Sequence, residues 1–582
     1  MGLFANSKDD RKPESIDLEK KIDSSSSSLP GIGSSSSDTA HGESASVEEF
    51  ETGGGENGSV KRTLAPSTIY FIAVGSSIGT ALFVTIGKGL AFGGPLSLLM
   101  AFCLWTGVIA IVVGAVGEMV CFLPVAAPFQ QMAGRCVDEA FELTVAFNYY
   151  IFTSIAIPFE ITAVNGMIHF WADNYSPGIT FAAQIALYVG LNVFAVKYFG
   201  QSELHLCATK LLLAVGLIAF TFVTMVGGNP QHEAYGFRYW NNPGPLAERF
   251  VGGSMGKFHG FMGAMNSACF TIVGPDYVAM VASEAGGQTR KVLSKTFKIV
   301  AWRMTVFFIF GALCVGILLP YNDPKLDAMA NGSGGESASY APYVIAMTNM
   351  KIKVLPHIIN VGCLFSALSA GNAYFYCSTR ALYGAAKRGF APKFLTYCTK
   401  SGIPIYTVGA AFCWGSLALL QLGSGSSQVL TWIVNILSGA QIINYLFMLI
   451  TYLGFHYACK AQGIAKSVFH YKAFLQPYLS YFSAFIISCM VGALGYSVFM
   501  PGKWSVSDFL TYYLMPLLDL VIFVIYKLVK RTKMVHPSAA DIYTGIEEVE
   551  LHEQQYLESL ESKDENSASE NSLVDKLVHR FL

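Results

Sequence analysis

A chain of 582 residues that is 53% hydrophobic and 13% charged, with mean hydropathy +0.45, falls well short of the roughly 25% charge of soluble proteins. The composition is that of a polytopic membrane protein. A net charge of −1 with no separate basic domain argues against a nucleic-acid partner.

In chain order, residues 1–66 read as a disordered cytoplasmic tail, with a serine run from Ser24 to Ser28 and glycines from Gly53 to Gly55. It carries no apolar stretch of the kind a cleaved secretory signal needs, so the first membrane helix is expected to direct insertion. Lys8, Lys12, Lys20 and Lys21 are available to ubiquitin ligase machinery, and solvation alone accounts for them equally.

Twelve apolar runs of helix-spanning length follow, at about 68–90, 94–120, 141–170, 178–197, 205–226, 261–283, 298–319, 354–385, 404–422, 429–455, 480–499 and 508–529. An even number puts both termini on one side of the bilayer. Basic residues after the even-numbered spans, such as Arg135, Arg290, Lys291, Lys387, Arg388 and Lys460, assign that side to the cytoplasm. Segments near 227–260 and 321–353 are then external, and Asn331-Gly332-Ser333 becomes a glycosylation candidate. Residues 531–582 form an acidic cytoplasmic tail, read as solvated, with an amphipathic helix as the alternative. The twelve cysteines lie in apolar runs or in the loops assigned to the cytoplasm, so no disulfide framework is expected, and no spacing suggests a metal.

The first span contains Gly75-Ser76-Ser77-Ile78-Gly79-Thr80-Ala81, poor material for a helix that must satisfy its own backbone in lipid. Irregular backbone at that depth survives where it lines a cavity; a small-residue packing face explains the stretch equally well. The sixth span repeats the pattern at Val273-Gly274-Pro275-Asp276, where proline lacks an amide and clashes with the preceding turn. One such interruption is consistent with a simple kink. Two, five spans apart, point to an inverted repeat with a substrate site at the midplane, its half-helix ends suited to a carboxylate and an ammonium.

Ionisable side chains within spans cost about 2.5–3.5 kcal/mol each on insertion scales and are therefore informative. Glu160, Lys210 and Asp276 are deep enough to suggest a functional or network role. Glu118 and Glu284 lie near helix ends, where anchoring a loop is as good an explanation as chemistry. No nucleophile–base or metal constellation suggests an enzyme.

These motifs resemble the fungal amino-acid permeases of the amino acid–polyamine–organocation superfamily. The likeness covers residues 64–530 and rests on Ile78-Gly79-Thr80, Gly117-Glu118-Met119 with Pro124, Pro158 with Glu160-Ile161, the Phe270–Glu284 pattern, and Ser369-Ala370-Gly371-Asn372-Ala373-Tyr374. Shared wording such as Glu118-Met119-Val120-Cys121-Phe122 and Pro342-Tyr343-Val344-Ile345 is nearest the yeast plasma-membrane branch associated with carnitine and polyamines. The resemblance implies an all-α fold of about twelve membrane helices: a five-plus-five inverted repeat of the LeuT type, helices 1 and 6 broken, and two extra C-terminal helices. The permease domain would span 67–530, with repeats at 67–226 and 261–455 and the last two helices at 480–530.

By the same resemblance, Ser77, Gly79, Thr80 and Ala81 would receive the substrate carboxylate. Phe270, Thr271, Val273, Asp276 and Tyr277 would face its body and ammonium. Lys210 would replace a coupling sodium and exchange a proton, with Glu160 and Glu118 in coupling or gating; the alternative for Lys210 is a permanent charge on the broken helix. The implied function is proton-coupled import of amino acids or related amines such as carnitine or polyamines, in the plasma membrane with both termini cytoplasmic and the proton in place of any cofactor. A nutrient sensor with little transport of its own is the alternative. Two positions depart from the family pattern: Ala81 replaces the last glycine of Gly-Thr-Gly, and Asp276 stands where most members have Glu.

Overall fold

In the computed structural model the described residues are 66–75, 79–125, 127–172, 175–193, 196–331, 341–399, 403–423 and 426–567, all within the unit Val60–Leu582. Ser77 and the lysines of the N-terminal tail lie outside them, as do residues 332–340 of the glycosylation sequence, whose Asn331 ends the short helix Pro324–Asn331.

The elements used below are α1 (Pro66–Gly75), α2 (Ile86–Phe122), α3 (Pro128–Cys136), α4 (Glu139–Ile168), α5 (Pro177–Val193) and α6 (Val196–Met225). They continue with α7 (Gly253–Thr271), α8 (Asp276–Val281), α9 (Thr289–Arg303), α10 (Phe310–Leu318), α11 (Leu355–Lys387), α12 (Ile405–Gly415), α13 (Ser426–Ala461), α14 (Tyr478–Ala493), α15 (Val506–Lys530) and α16 (Ile546–Ser567). Every apolar run expected from the sequence is largely helical. Among the described residues, eight helical stretches are long and apolar enough to cross a membrane, and α5 and α14 are shorter apolar helices.

Two of the expected spans are fused in α2, which bends at Gly94 (φ 78°) before Pro95. The bend is stabilised from outside: Ala247 donates its amide to the Gly93 carbonyl at 3.0 Å, and Leu96 donates to the Pro245 carbonyl at 2.9 Å. That exchange satisfies polar backbone a continuous helix would have paired internally. Close by, a Cβ on Gly93 would stand 2.7 Å from the Gly260 carbonyl, so α2 and α7 cross with their backbones in contact.

α4 lies along α11 and also packs against α13, which in turn packs against the bent α2, around one core. The start of α4 is pinned by Asp138, which caps Ala140 at 2.9 Å and accepts a bond from Lys527 at the end of α15. Burial works against its charge, but the bonds from Lys527 and Thr532 hold its carboxyl below the usual range.

The C-terminal segment corrects the expectation of a solvated tail. Val535 donates to the Val137 carbonyl at 2.8 Å, Ile542 and Val549 are fully buried, and Arg135 donates to the Thr544 carbonyl at 2.8 Å. α16 then docks by its acidic side, with Glu553 accepting from the Arg290 amide at 2.7 Å and Glu550 lying 3.3 Å from the Arg290 guanidinium. Asp541, Glu550 and Glu553 of the tail thus meet basic residues of the membrane domain rather than facing solvent alone. None of the twelve cysteines forms a disulfide among the described residues.

Candidate substrate site

The first interruption falls where the sequence places it. α1 ends at Gly75, and helical backbone resumes at Thr80 with a π-turn, Ala81–Thr85, before α2. A helix end leaves up to four carbonyls without internal partners and its tail carries partial negative charge. Two buried cations occupy this end of α1: Lys210 Nζ donates to the Gly75 carbonyl at 3.3 Å, and Arg303 Nη1 donates to the Ala73 carbonyl. The site tolerates little bulk, since a Cβ on Gly75 would stand 2.2 Å from Cys207 Sγ.

On the other side of the gap, Gly79, Thr80 and Ala81 form the amide-bearing start of the second half-helix. The buried Thr80 hydroxyl donates to Glu160 Oε2, while Leu82 donates to the Gly79 carbonyl at 3.2 Å. A Cβ on Gly79 would lie 3.4 Å from Ala370 and 3.8 Å from Glu160 Oε1, at ordinary contact distance, so α4 and α11 lie directly against the break. Glu160 also interacts electrostatically with Lys210, which links the two sides of the gap.

The second interruption separates α7 from α8 at residues 272–275. Its backbone is satisfied by α13. The Gly274 amide donates to Tyr445 Oη at 2.7 Å, and the Ile272 carbonyl accepts from Gln441 Nε2 at 3.3 Å and from Tyr445 Oη at 3.4 Å. Phe270, at the end of α7, meets Phe159 edge-on with centroids 5.2 Å apart. Thr271 lies 3.5 Å from Thr85, joining the two broken helices directly. Asp276 opens α8, fully enclosed, with Oδ1 lacking a hydrogen-bond partner and Arg303 as its electrostatic partner.

A cavity of about 230 Å³ begins at Thr80, Phe159 and Phe270 and extends toward Arg249 and His259. Gly79, Thr80, Glu160, Phe270 and Thr271 are therefore gathered around the junction of the two breaks. Of the site residues expected from the sequence, Thr80 and Phe270 line that cavity; Gly79, Glu160 and Thr271 adjoin it through the contacts above, and Ala81, Val273, Asp276 and Tyr277 belong to the interrupted segments without lining it.

Glu118, also expected in coupling or gating, lies in a different set of contacts. It accepts from Tyr452 Oη at 2.5 Å and from the Ala473 amide at 2.8 Å, tying α2 to the segment before α14. Exchanging Glu118 for alanine removes two charge-assisted bonds in a buried place and is expected to cost about 2–3 kcal/mol. Surface yield should fall while the KM of the protein that reaches the surface stays unchanged. A changed KM at normal yield would return Glu118 to the transport machinery.

Three residues here were not singled out in the sequence. Arg303 is a basic residue within an apolar run, the same signal that Lys210 gives, and its place near the run's start hid it. Gln441 and Tyr445 stand one turn apart in α13, and only tertiary structure shows that they face the second break.

Known proteins share this architecture. The family model described as amino acid permease matches residues 68–537. The chain is 43% identical to the general amino acid permease AGP2 of Saccharomyces cerevisiae, over 85% of this chain and 84% of that protein. It is 34% identical to a proline-specific permease of Emericella nidulans, over 85% and 90%, and 33% identical to a basic amino-acid permease of S. cerevisiae, over 83% of each. Among solved structures, a manganese transporter of Eremococcus coleocola superposes with a TM-score of 0.50 at 10% identity, over 79% of this chain and 94% of that one. That likeness concerns the fold, an all-α transporter of the LeuT type with two interrupted helices.

Proposed function

This chain belongs to the amino acid permease family, a multi-pass membrane protein and not an enzyme, and from that premise we propose a specific cargo and mechanism. It imports amino acids or closely related amines across the plasma membrane by proton symport and alternating access, with both termini in the cytoplasm.

One observation carries the reading: two interrupted helices meet at Thr85 and Thr271, beside a cavity floored by Thr80 and Phe270. The amides that start the half-helix at Thr80 suit a carboxylate. The Phe159–Phe270 pair and the break carbonyls suit an ammonium, with cation–π attraction of about 0.5–2 kcal/mol. A zwitterion satisfies both. Carnitine has the same two groups and a quaternary ammonium, so it is included on its chemistry alone; the relatives above are named as amino acid permeases. A polyamine lacks the carboxylate and fits the cation half alone.

Radiolabelled leucine, arginine, carnitine and spermidine, offered to a permease-deficient fungal host expressing the full chain, test the cargo. At least one carboxylated compound should accumulate above the vector control. Purified protein in liposomes should show counterflow of that compound. Binding without counterflow would replace transport with nutrient sensing, and neither binding nor counterflow would reject the reading.

A further inference from the structure

The cavity does not end at the substrate site. α7 and α8 run from Arg249 and Gly253 past the second break toward Glu284, and Arg290 just beyond is held by the C-terminal helix. The Arg249 end of the cavity is thus the end opposite the tail. Its lining includes Lys88, Arg249 and His259 and no carboxylate.

The charges around this end do not balance. Arg249 pairs with Asp327 at 3.6 Å, and Lys257 stands 4.0 Å from Glu248. Lys503 lies over the ring of Phe250, a cavity-lining residue, with its Nζ 3.1 Å from the centroid. Lys88 has no ion pair or hydrogen bond among the described residues; its contact is the Phe92 ring at 5.9 Å, which Arg249 also covers at 4.7 Å. Among the described residues Lys88 therefore stays uncompensated where the low-dielectric walls of a cavity concentrate its field, and the exposed Lys503 adds a second ammonium beside the cavity-lining Phe250. A partly buried charge of this kind is costly, and a lysine in an apolar run without a structural partner among the described residues invites an anionic one. Lys88 is also set on the same helix as the carboxylate-receiving amides, about two turns beyond Thr80.

We propose that Lys88 and Arg249 form a transient carboxylate site in this cavity, which captures the substrate's carboxylate before it reaches the break and repels polycations. The proposal rests on the transport reading above and narrows it to carboxylated amines. His259 stacks on Tyr496 with centroids 5.6 Å apart and completes an aromatic wall for the rest of the ligand. The substrate moves from a cationic antechamber toward Thr80, whose hydroxyl donates to Glu160, so its carboxylate meets cations first and its ammonium approaches an acid.

The test is uptake kinetics per surface molecule for wild type, Lys88→Gln, Lys88→Arg and Lys88→Glu, using labelled leucine, arginine, carnitine and spermidine. For whichever carboxylated compound wild type transports, Lys88→Gln should raise KM by roughly fivefold or more with maximal rate kept, and the difference should shrink with added salt. Lys88→Arg should restore KM, and Lys88→Glu should raise KM further while relieving the exclusion of spermidine. An unchanged KM in Lys88→Gln, or a loss confined to maximal rate, would overturn the carboxylate site while leaving the transport reading intact. Efficient spermidine uptake by wild type would overturn the exclusion. If wild type takes up none of the four, the transport reading fails and this inference falls with it.

Discussion

Lys210→Met and Lys210→Arg should both reach the cell surface and both lose pH-dependent accumulation. The ammonium of Lys210 is fully enclosed and donates to the last carbonyl of α1, with Glu160 as its electrostatic neighbour across the break. A membrane potential of 100 mV is worth about 2.3 kcal/mol per charge, and one pH unit adds about 1.36 kcal/mol. At 1.4 kcal/mol per decade, these sustain roughly a several-hundredfold gradient, but only if a group in the site takes up and releases the proton. An ammonium can give up its proton to become a neutral amine, whereas a guanidinium stays charged. Accumulation by either variant should therefore fall by at least about tenfold. Counterflow, which needs no net proton movement, should persist. The competing role is a fixed charge on the helix end, and Lys210→Arg separates the two. If it keeps the wild-type pH response, Lys210 is a structural cation and the proton moves elsewhere.

How much of this could be read from the sequence follows from the range of the interactions concerned. The two breaks were legible because Gly75, Gly79, Gly274 and Pro275 act on their own backbone, and lipid makes that local effect costly. Lys210, Glu160 and Asp276 were legible because a lone charge in an apolar run needs a reason. The sixth run seemed to begin at 261, yet α7 starts at Gly253, because Lys257 and His259 broke the hydropathy pattern while His259 faces the cavity. What answers each break was not legible. Gln441 and Tyr445 come from residues about 170 positions away in the chain, and no local pattern marks them as partners of Ile272 and Gly274. Glu118 belongs to the same class: its charge was visible, and its partners Tyr452 and Ala473 were not. The acidic tail was misjudged for a related reason. Its charge suggested solvent, whereas Arg290 and Arg135 supply counter-charges that only the fold brings near.

The largest structural penalty should follow from separating Arg303 from Asp276. Arg303 donates to the Ala73 carbonyl at the end of α1 and interacts electrostatically, without a direct salt bridge, with Asp276 at the start of α8, so the two charges lie between the two broken helices. Both side chains are 3% exposed, which leaves water little part in compensating either charge. Breaking a buried ion pair in contact costs about 3–5 kcal/mol, which is the upper bound for removing either of these more widely spaced charges and leaving the other buried. Against a total stability of about 5–15 kcal/mol, that is enough to empty the folded state in a cell. Arg303→Met and Asp276→Asn should each lower surface protein by more than about tenfold. The double variant removes both charges, so its surface level should recover to within about threefold of wild type. Transport by the double variant should stay impaired, since the Ala73 carbonyl still lacks its donor and the break has lost its acid. Surface biotinylation with thermal unfolding in detergent gives the first measurement, and uptake per surface molecule gives the second. Simple addition of the two single effects would mean that the residues act independently and that each broken helix is held by contacts of its own. Recovery of surface protein would show that the charges are coupled, with α1 and α8 held in one frame while the half-helices beyond the gaps remain available to the ligand.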